Sequence, residues 1–224
     1  YMKKVLIVVA HPDDEVLGCG GTIAKLVDEK NKVKVIFLSD GESSRLKKVN
    51  NKKNLFRRAC AVKAMKVLGV KNFSFNRFPD NEFDKVSLLT ITKKIEDEIK
   101  KFNPDTILTH HNSDLNIDHQ ITSRAVLTAC RPNIKNKVKL ILFFEILSST
   151  EWNVVSKKTF FIPNWYEDIT KYLNIKIKAI KCYKKELRKS PHPRSLETIK
   201  ALSIFRGSSS GVKNAEAFQL GRKI

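Results

Sequence analysis

An α/β fold is what this sequence predicts: a mainly parallel sheet with helices on both faces and a mostly helical C-terminal elaboration. Three features point there. Short continuous apolar runs mark strands buried on both faces. They alternate with stretches of helical periodicity, the rhythm that parallel strands need for their crossovers. The chain of 224 residues is long enough for one well-buried domain and cramped for two, so a single domain over residues 1–224 is expected.

Lys4-Val5-Leu6-Ile7-Val8-Val9-Ala10 reads as the first strand, with a helix following through about Asp28. Strand two runs from Lys34 to Asp40. Asn54 to Leu68 has helical periodicity and stops at Gly69, a residue suited to the left-handed conformation just past a helix. Phe73-Ser74-Phe75 is a brief third strand, and Leu88 to Phe102 an amphipathic helix closed by Asn103-Pro104. Thr106 to Thr109 forms strand four, His119 to Cys130 a helix, and Leu140 to Leu147 strand five. Beyond Pro163 the pattern reads as mostly helical, with a Ser/Gly-rich loop from Gly207 to Gly211. No internal repeat or low-complexity linker interrupts it.

Hydrophobic residues at 42% and charged residues at 29% match an ordinary soluble globular protein. No apolar run approaches the ~18 residues of a membrane span. The opening Tyr1-Met2-Lys3-Lys4-Val5 enters a strand without a cleavage site, so no secretory signal is expected. Cys19, Cys60, Cys130 and Cys182 are scattered, which fits reduced thiols in a cytoplasm better than a disulfide framework. The net charge of +20 admits a non-enzymatic anion- or nucleic-acid-binding module as a rival reading. Its lysines, however, are spread along the polar faces of predicted helices, as solvated surface charge is. A basic field still suits an anionic small substrate.

Ligands of open parallel sheets sit beyond the carboxyl ends of the strands. Four segments qualify: His11 to Glu15, Asp40 to Arg45, His110 to His119, and Glu145 to Trp152. Four of the five histidines fall in two of them. In Ala10-His11-Pro12-Asp13-Asp14-Glu15, proline tolerates a helix start and the acids complement the helix dipole. That explains the acids but not His11, nor the second His/Asp cluster at another strand's end. Two such clusters at one sheet edge can converge on a metal, as in catalytic zinc sites built from two imidazoles and a carboxylate. The glycines of Gly18-Cys19-Gly20-Gly21 fall inside the first helix, not in the strand–helix turn. A dinucleotide fingerprint therefore fails there, and close helix packing is the expected role.

Ala-His-Pro-Asp-Asp-Glu after the first strand, with Asp118-His119 opening a helix after the fourth, resembles the LmbE/PIG-L family of zinc-dependent N-acetylglucosamine deacetylases. The likeness extends to Ser39-Asp40-Gly41-Glu42, close to the family's Thr-Asp-Gly-Glu, and to the Arg57, Arg58 helix ending in Leu68-Gly69-Val70. It implies a Rossmann-like fold and hydrolysis of an N-acyl group, usually acetyl, from a glucosamine derivative. It further implies that His11, Asp14 and His119 bind Zn2+. Asp13 would be the general base for the attacking water and then deliver a proton to the leaving amine. The same three ligands would also describe a non-haem iron oxygenase, but an oxygenase has no need of that extra carboxylate. Glu15 is expected to be structural, and His110 and His111 to stand behind the ligands or at strand ends.

One departure stands out. Where the family often has His-Pro-Asp-His, this chain has Asn116-Ile117-Asp118-His119. Asn116 keeps a hydrogen-bond donor for the tetrahedral oxyanion but loses the positive charge. His192, in Ser190-Pro191-His192-Pro193-Arg194-Ser195, is a candidate to compensate, with a plain loop histidine as the alternative. Asp118 and His192 are the reserve candidates for proton transfer. Asp40, Arg57, Arg58 and Asp80 are candidates to hold sugar hydroxyls or a phosphate from the rim, with plain solvated residues as the alternative. Trp152 is a candidate to stack on a sugar ring, with packing in the core as the equal alternative. The expected partner is a small N-acetylated sugar, with phosphorylated or nucleotide-linked forms and a homo-oligomer left open.

Overall fold

The structure, a computed structural model, describes residues 2–40, 51–132, 137–154, 156 and 159–224, with residues 51–55 described in backbone alone. Gly41, Glu42 and the stretch on to Arg45 lie outside the described residues. The elements run β1 (Lys4–Val9), α1 (Asp14–Asp28), β2 (Lys32–Ser39), α2 (Asn51–Leu68), β3 (Asn72–Phe78), α3 (Leu88–Phe102), β4 (Thr106–His110) and α4 (Ile117–Ala129). Then come β5 (Leu140–Phe144), β6 (Trp165–Asp168), α5 (Leu173–Ile180), α6 (Leu196–Ser208) and β7 (Ala215–Lys223).

One seven-stranded sheet has the order β3-β2-β1-β4-β5-β7-β6. The first five strands pair in parallel, and β7 runs antiparallel to both β5 and β6. The alternation of side chains along β1 divides the core into two layers. Val5, Ile7 and Val9 pack with residues of α1, α2 and α5, while Leu6, Val8 and Ala10 pack with α3 and α4. A one-residue slip would exchange the two sets. Each large side chain is worth ~1.5–3 kcal/mol buried, so the register of β1 is firmly fixed. With it is fixed the point where β1 ends and the chain turns at His11.

The C-terminal part departs from the sequence expectation. It is not mostly helical, because β6 and β7 complete the sheet there. β7 (Ala-Glu-Ala-Phe-Gln-Leu-Gly-Arg-Lys) hides its strand character because a charged residue, Glu216, sits buried within it. That carboxylate has a partner the sequence does not display. Helix α1 leaves helical geometry at Cys19, and Glu216 accepts hydrogen bonds from the Gly21 and Thr22 N–H groups beyond the break at 2.9 and 2.7 Å. Lys176 Nζ completes the set, donating to Glu216 Oε1 at 2.6 Å and to the Leu17 carbonyl at 2.9 Å. A Cβ on Gly18 would strike the Phe144 ring, and one on Gly21 would come within 2.8 Å of Ile169. The glycines therefore serve close packing. Other boundaries shift as well: β5 ends at Phe144 instead of Leu147, β3 extends over Asn72–Phe78, and Gly207 still belongs to α6.

Candidate active site

β1 and β4 are parallel neighbours, so the turns that leave them open onto the same edge of the sheet. The first turn carries His11, Asp13 and Asp14; the second leads to Asp114, Asn116, Asp118 and His119. Asp13 has φ 112°, a region costly for a residue with a Cβ. It is held there from several sides. Its N–H donates to Glu15 Oε2 at 3.0 Å, Arg57 Nη2 donates to its Oδ1 at 3.0 Å, and Arg194 Nη1 to its Oδ2 at 2.8 Å.

His11, Asp14 and His119 come together, with one donor atom of each within 4.8 Å of the others and all three residues buried. Their meeting point is Asp14 Oδ2, which lies 3.4 Å from His11 Nδ1 and 3.3 Å from His119 Nε2. Each ring turns its other nitrogen to a further carboxylate. His11 Nε2 is 2.9 Å from Asp118 Oδ2 and 3.1 Å from Asp80 Oδ1. His119 Nδ1 is 3.1 Å from Asp114 Oδ1, off hydrogen-bond alignment. Burial disfavours charge on both imidazoles, yet the surrounding carboxylates outweigh it. Asp118 and Asp14 lift His11 to a pKa of about 9, and Asp14 and Asp114 lift His119 to about 10. Asp14 is held well below the usual carboxylate range because the charge of His119 and its contacts with His119 and His11 overcome its burial.

The set fits a zinc ion on chemistry as well as spacing. Two nitrogens and one carboxylate oxygen are a zinc donor set that leaves a position open. Both ring nitrogens of His119 are buried without a hydrogen-bond partner, a costly state for a polar group that a cation at Nε2 would relieve.

An open cleft of about 390 Å³ reaches this cluster. Asp13, Arg57, Asp80, Asn81, Asn116, Ser148, Ser149 and Arg194 line it together with His11 and His119. Asn116 is the N-cap of α4: its Oδ1 accepts from the Asp118 and His119 N–H groups, and its Nδ2 donates to Asn81 Oδ1 at 3.0 Å. Arg57 does not stand on a rim. It is buried, with Nε donating to the Pro12 carbonyl at 3.0 Å and Nη2 on Asp13. Arg58 is exposed, its guanidinium over the Phe75 ring, and is not among the cleft residues. Asp40 is half-buried at the end of β2. His192 accepts the Arg194 N–H on Nδ1 at 3.0 Å and meets the exposed Trp152 edge-on.

His110 stacks on His119 with centroids 3.9 Å apart, and its Nε2 accepts the Ala10 N–H at 2.9 Å. Burial holds its pKa well below the ordinary value, so it stays a neutral support. Glu15 accepts from the Tyr183 hydroxyl and is lifted to about 8 by burial. Two residues escaped the sequence reading. Arg194 closes the Pro-His-Pro-Arg stretch, and its pairing with Asp13 spans 181 positions. Asp114 lay within the second cluster, and Ser149 and Thr150 donate to its carboxylate.

The family described as PIG-L, GlcNAc-PI de-N-acetylase, matches residues 6–130. A diacetylchitobiose deacetylase from Thermococcus kodakarensis is 24% identical over 230 aligned residues, covering 97% of this chain and 83% of that protein. The solved N,N'-diacetylchitobiose deacetylase of Pyrococcus horikoshii superposes with a TM-score of 0.75 at 23% identity, over 98% of this chain and 84% of that one. The 4-carboxy-2-hydroxymuconate hydratase of Pseudomonas putida superposes at 0.78 with 22% identity, over 100% of this chain and 98% of that one. The fold therefore accommodates more than one reaction, and the reaction must be argued from the site.

Proposed function

The chain belongs to the PIG-L family, and on that premise we propose that it is a zinc-dependent hydrolase removing an N-acetyl group from an amino sugar. The observation that carries the reading is the convergence of His11 and His119 on one oxygen of Asp14, at a cleft whose wall includes Asp13. Relatives in this family are named as deacetylases of N-acetylated sugars. A zinc ion held by His11, Asp14 and His119 would supply Lewis acidity toward the acetamide carbonyl and acidify the attacking water.

Asp13 is the base of this mechanism. Burial lifts its carboxyl above the usual range, against the opposing pull of Arg57 and Arg194. The two arginines take one lone pair on each oxygen, and a carboxylate has about four acceptor sites. Capacity remains to accept a proton from water and return it to the departing amine. Asn116 spends one amide N–H on Asn81; the other is the donor we assign to the oxyanion. His192 acts through Arg194, whose backbone it holds. Asp80 and Asn81 are assigned to sugar hydroxyls. Because both cleft arginines close on Asp13, an uncharged N-acetyl sugar moiety is the favoured occupant.

The test is acetate release from N-acetylglucosamine, diacetylchitobiose and a UDP-linked N-acetyl sugar by zinc-loaded and chelator-stripped protein. Release from at least one of them, lost on stripping and restored by zinc, is the expected result. A stoichiometrically zinc-loaded protein that releases acetate from none of them overturns the proposal.

A further inference from the structure

Among the buried carboxylates, Asp118 has a geometry that the reaction itself does not use. It is fully buried and is not part of the cleft wall, so it touches no substrate. Its Oδ2 is 2.9 Å from His11 Nε2 and accepts the Asn81 N–H at 2.7 Å. Its Oδ1 accepts the Phe83 N–H at 3.0 Å. One carboxylate thus grips the imidazole of a proposed ligand and the backbone of the loop after β3 at once. Asp80, on that same loop, brings its Oδ1 to 3.1 Å from the same nitrogen.

We propose that Asp118, assisted by Asp80, is the positioning group of the metal centre: it fixes the tautomer and orientation of His11 and ties the Asp80–Phe83 loop to metal occupancy. The proposal rests on the zinc reading above. His11 faces Asp14 through Nδ1, so a cation shared with Asp14 takes Nδ1 and the ring proton stays on Nε2. A donor there needs an acceptor, and the carboxylates behind a metal-bound imidazole fix its tautomer and strengthen it as a ligand. The linkage is reciprocal: whatever orders the loop tightens the metal, and metal loss slackens the loop. Since Asn81 also reaches into the cleft and is held by Asn116, sugar and metal binding share this junction.

The experiment measures zinc affinity by competition with a chromophoric chelator. The visible spectrum of the cobalt(II)-loaded protein and the melting temperature of the metal-free protein are recorded alongside. Asp118→Asn keeps the size of the side chain and offers a donor where His11 needs an acceptor. The expected result is zinc held roughly 10- to 100-fold more weakly and an altered cobalt spectrum; the metal-free protein melts cooperatively at a lower temperature, because one acceptor for His11 and the Asn81 N–H is lost. Asp80→Asn should act in the same direction by a smaller factor, and it decides the matter if Asp118→Asn does not fold. Zinc affinity within twofold of wild type and an unchanged cobalt spectrum in the folded variants overturn the proposal. A wild-type protein that takes up no zinc overturns the functional reading instead.

Discussion

Two buried sets of charges touch helix α1, one at its start and one at its break, and they are finished to different degrees. At the break, Glu216 accepts from Gly21, Thr22 and Lys176, and the lysine also donates to Leu17. That set is complete without any ligand. At the start, His11, Asp14 and His119 crowd within 4.8 Å of one another, and both nitrogens of His119 lack a hydrogen-bond partner. Burial raises the same desolvation cost in both places. The first meets its polar groups from within the chain; in the second the imidazoles have carboxylate neighbours, but His119 keeps both nitrogens without a hydrogen-bond partner, an arrangement for something that arrives from outside. A buried charge is therefore no sign of function by itself, whereas an incomplete set of buried charges at a strand edge is.

Substitutions at the two places should tell them apart. The largest effect is expected from His119→Ala, and equally from His11→Ala: stoichiometric zinc and acetate release are both lost, while circular dichroism still reports the α/β fold. Proton competition comes next. Zinc must displace protons from His11 and His119, whose pKa values in the metal-free protein are about 9 and about 10. Below those values each bound zinc releases up to two protons. Between roughly pH 6.5 and 8.5 the logarithm of the apparent affinity should then rise with a slope approaching two. A pH-independent affinity would mean that the metal sits elsewhere.

Asp13→Asn should retain zinc and lower kcat by roughly 10²-fold or more, the scale of lost acid–base catalysis. Near-normal turnover would move the base to another group. Glu216→Gln should do the opposite. Leaving Lys176 buried without its counter-charge should cost ~3–5 kcal/mol of stability, read by denaturant unfolding, with zinc affinity unchanged. The smallest effect belongs to Arg58→Ala. With its guanidinium exposed over Phe75, KM for free and UDP-linked N-acetyl sugars should shift less than about twofold, as is usual for surface positions. A large selective rise for the UDP-linked sugar would restore the anionic-substrate reading.

What could be read in the sequence follows the same division. β1, β4 and the start of β5 announce themselves as apolar runs because both faces of the sheet are covered. The His/Asp clusters are visible because they sit just past such runs. β6 and β7 were hidden: one is four residues long, and the other carries Glu216, whose burial depends on a lysine 40 positions away. Arg194 was hidden for the same kind of reason. A pairing across 181 residues leaves no local pattern of spacing or periodicity. Arg57 was visible as a charged residue of the right helix, but only the closed structure turns it from a rim group into a partner of Asp13.

The place of β7 between β5 and β6 also sets an order of events during synthesis. Glu216 reaches back 195 positions to Gly21, so the broken turn of α1 stands uncapped while the ribosome makes nearly everything between them. β6 waits as well, since among the described residues it joins the sheet through β7. Contacts this distant in sequence are slow to form and leave partly paired intermediates exposed. A nascent chain stalled before Ala215 would carry every proposed zinc ligand yet present an open β5 edge, and that edge is the natural point of attack for chaperones or for aggregation.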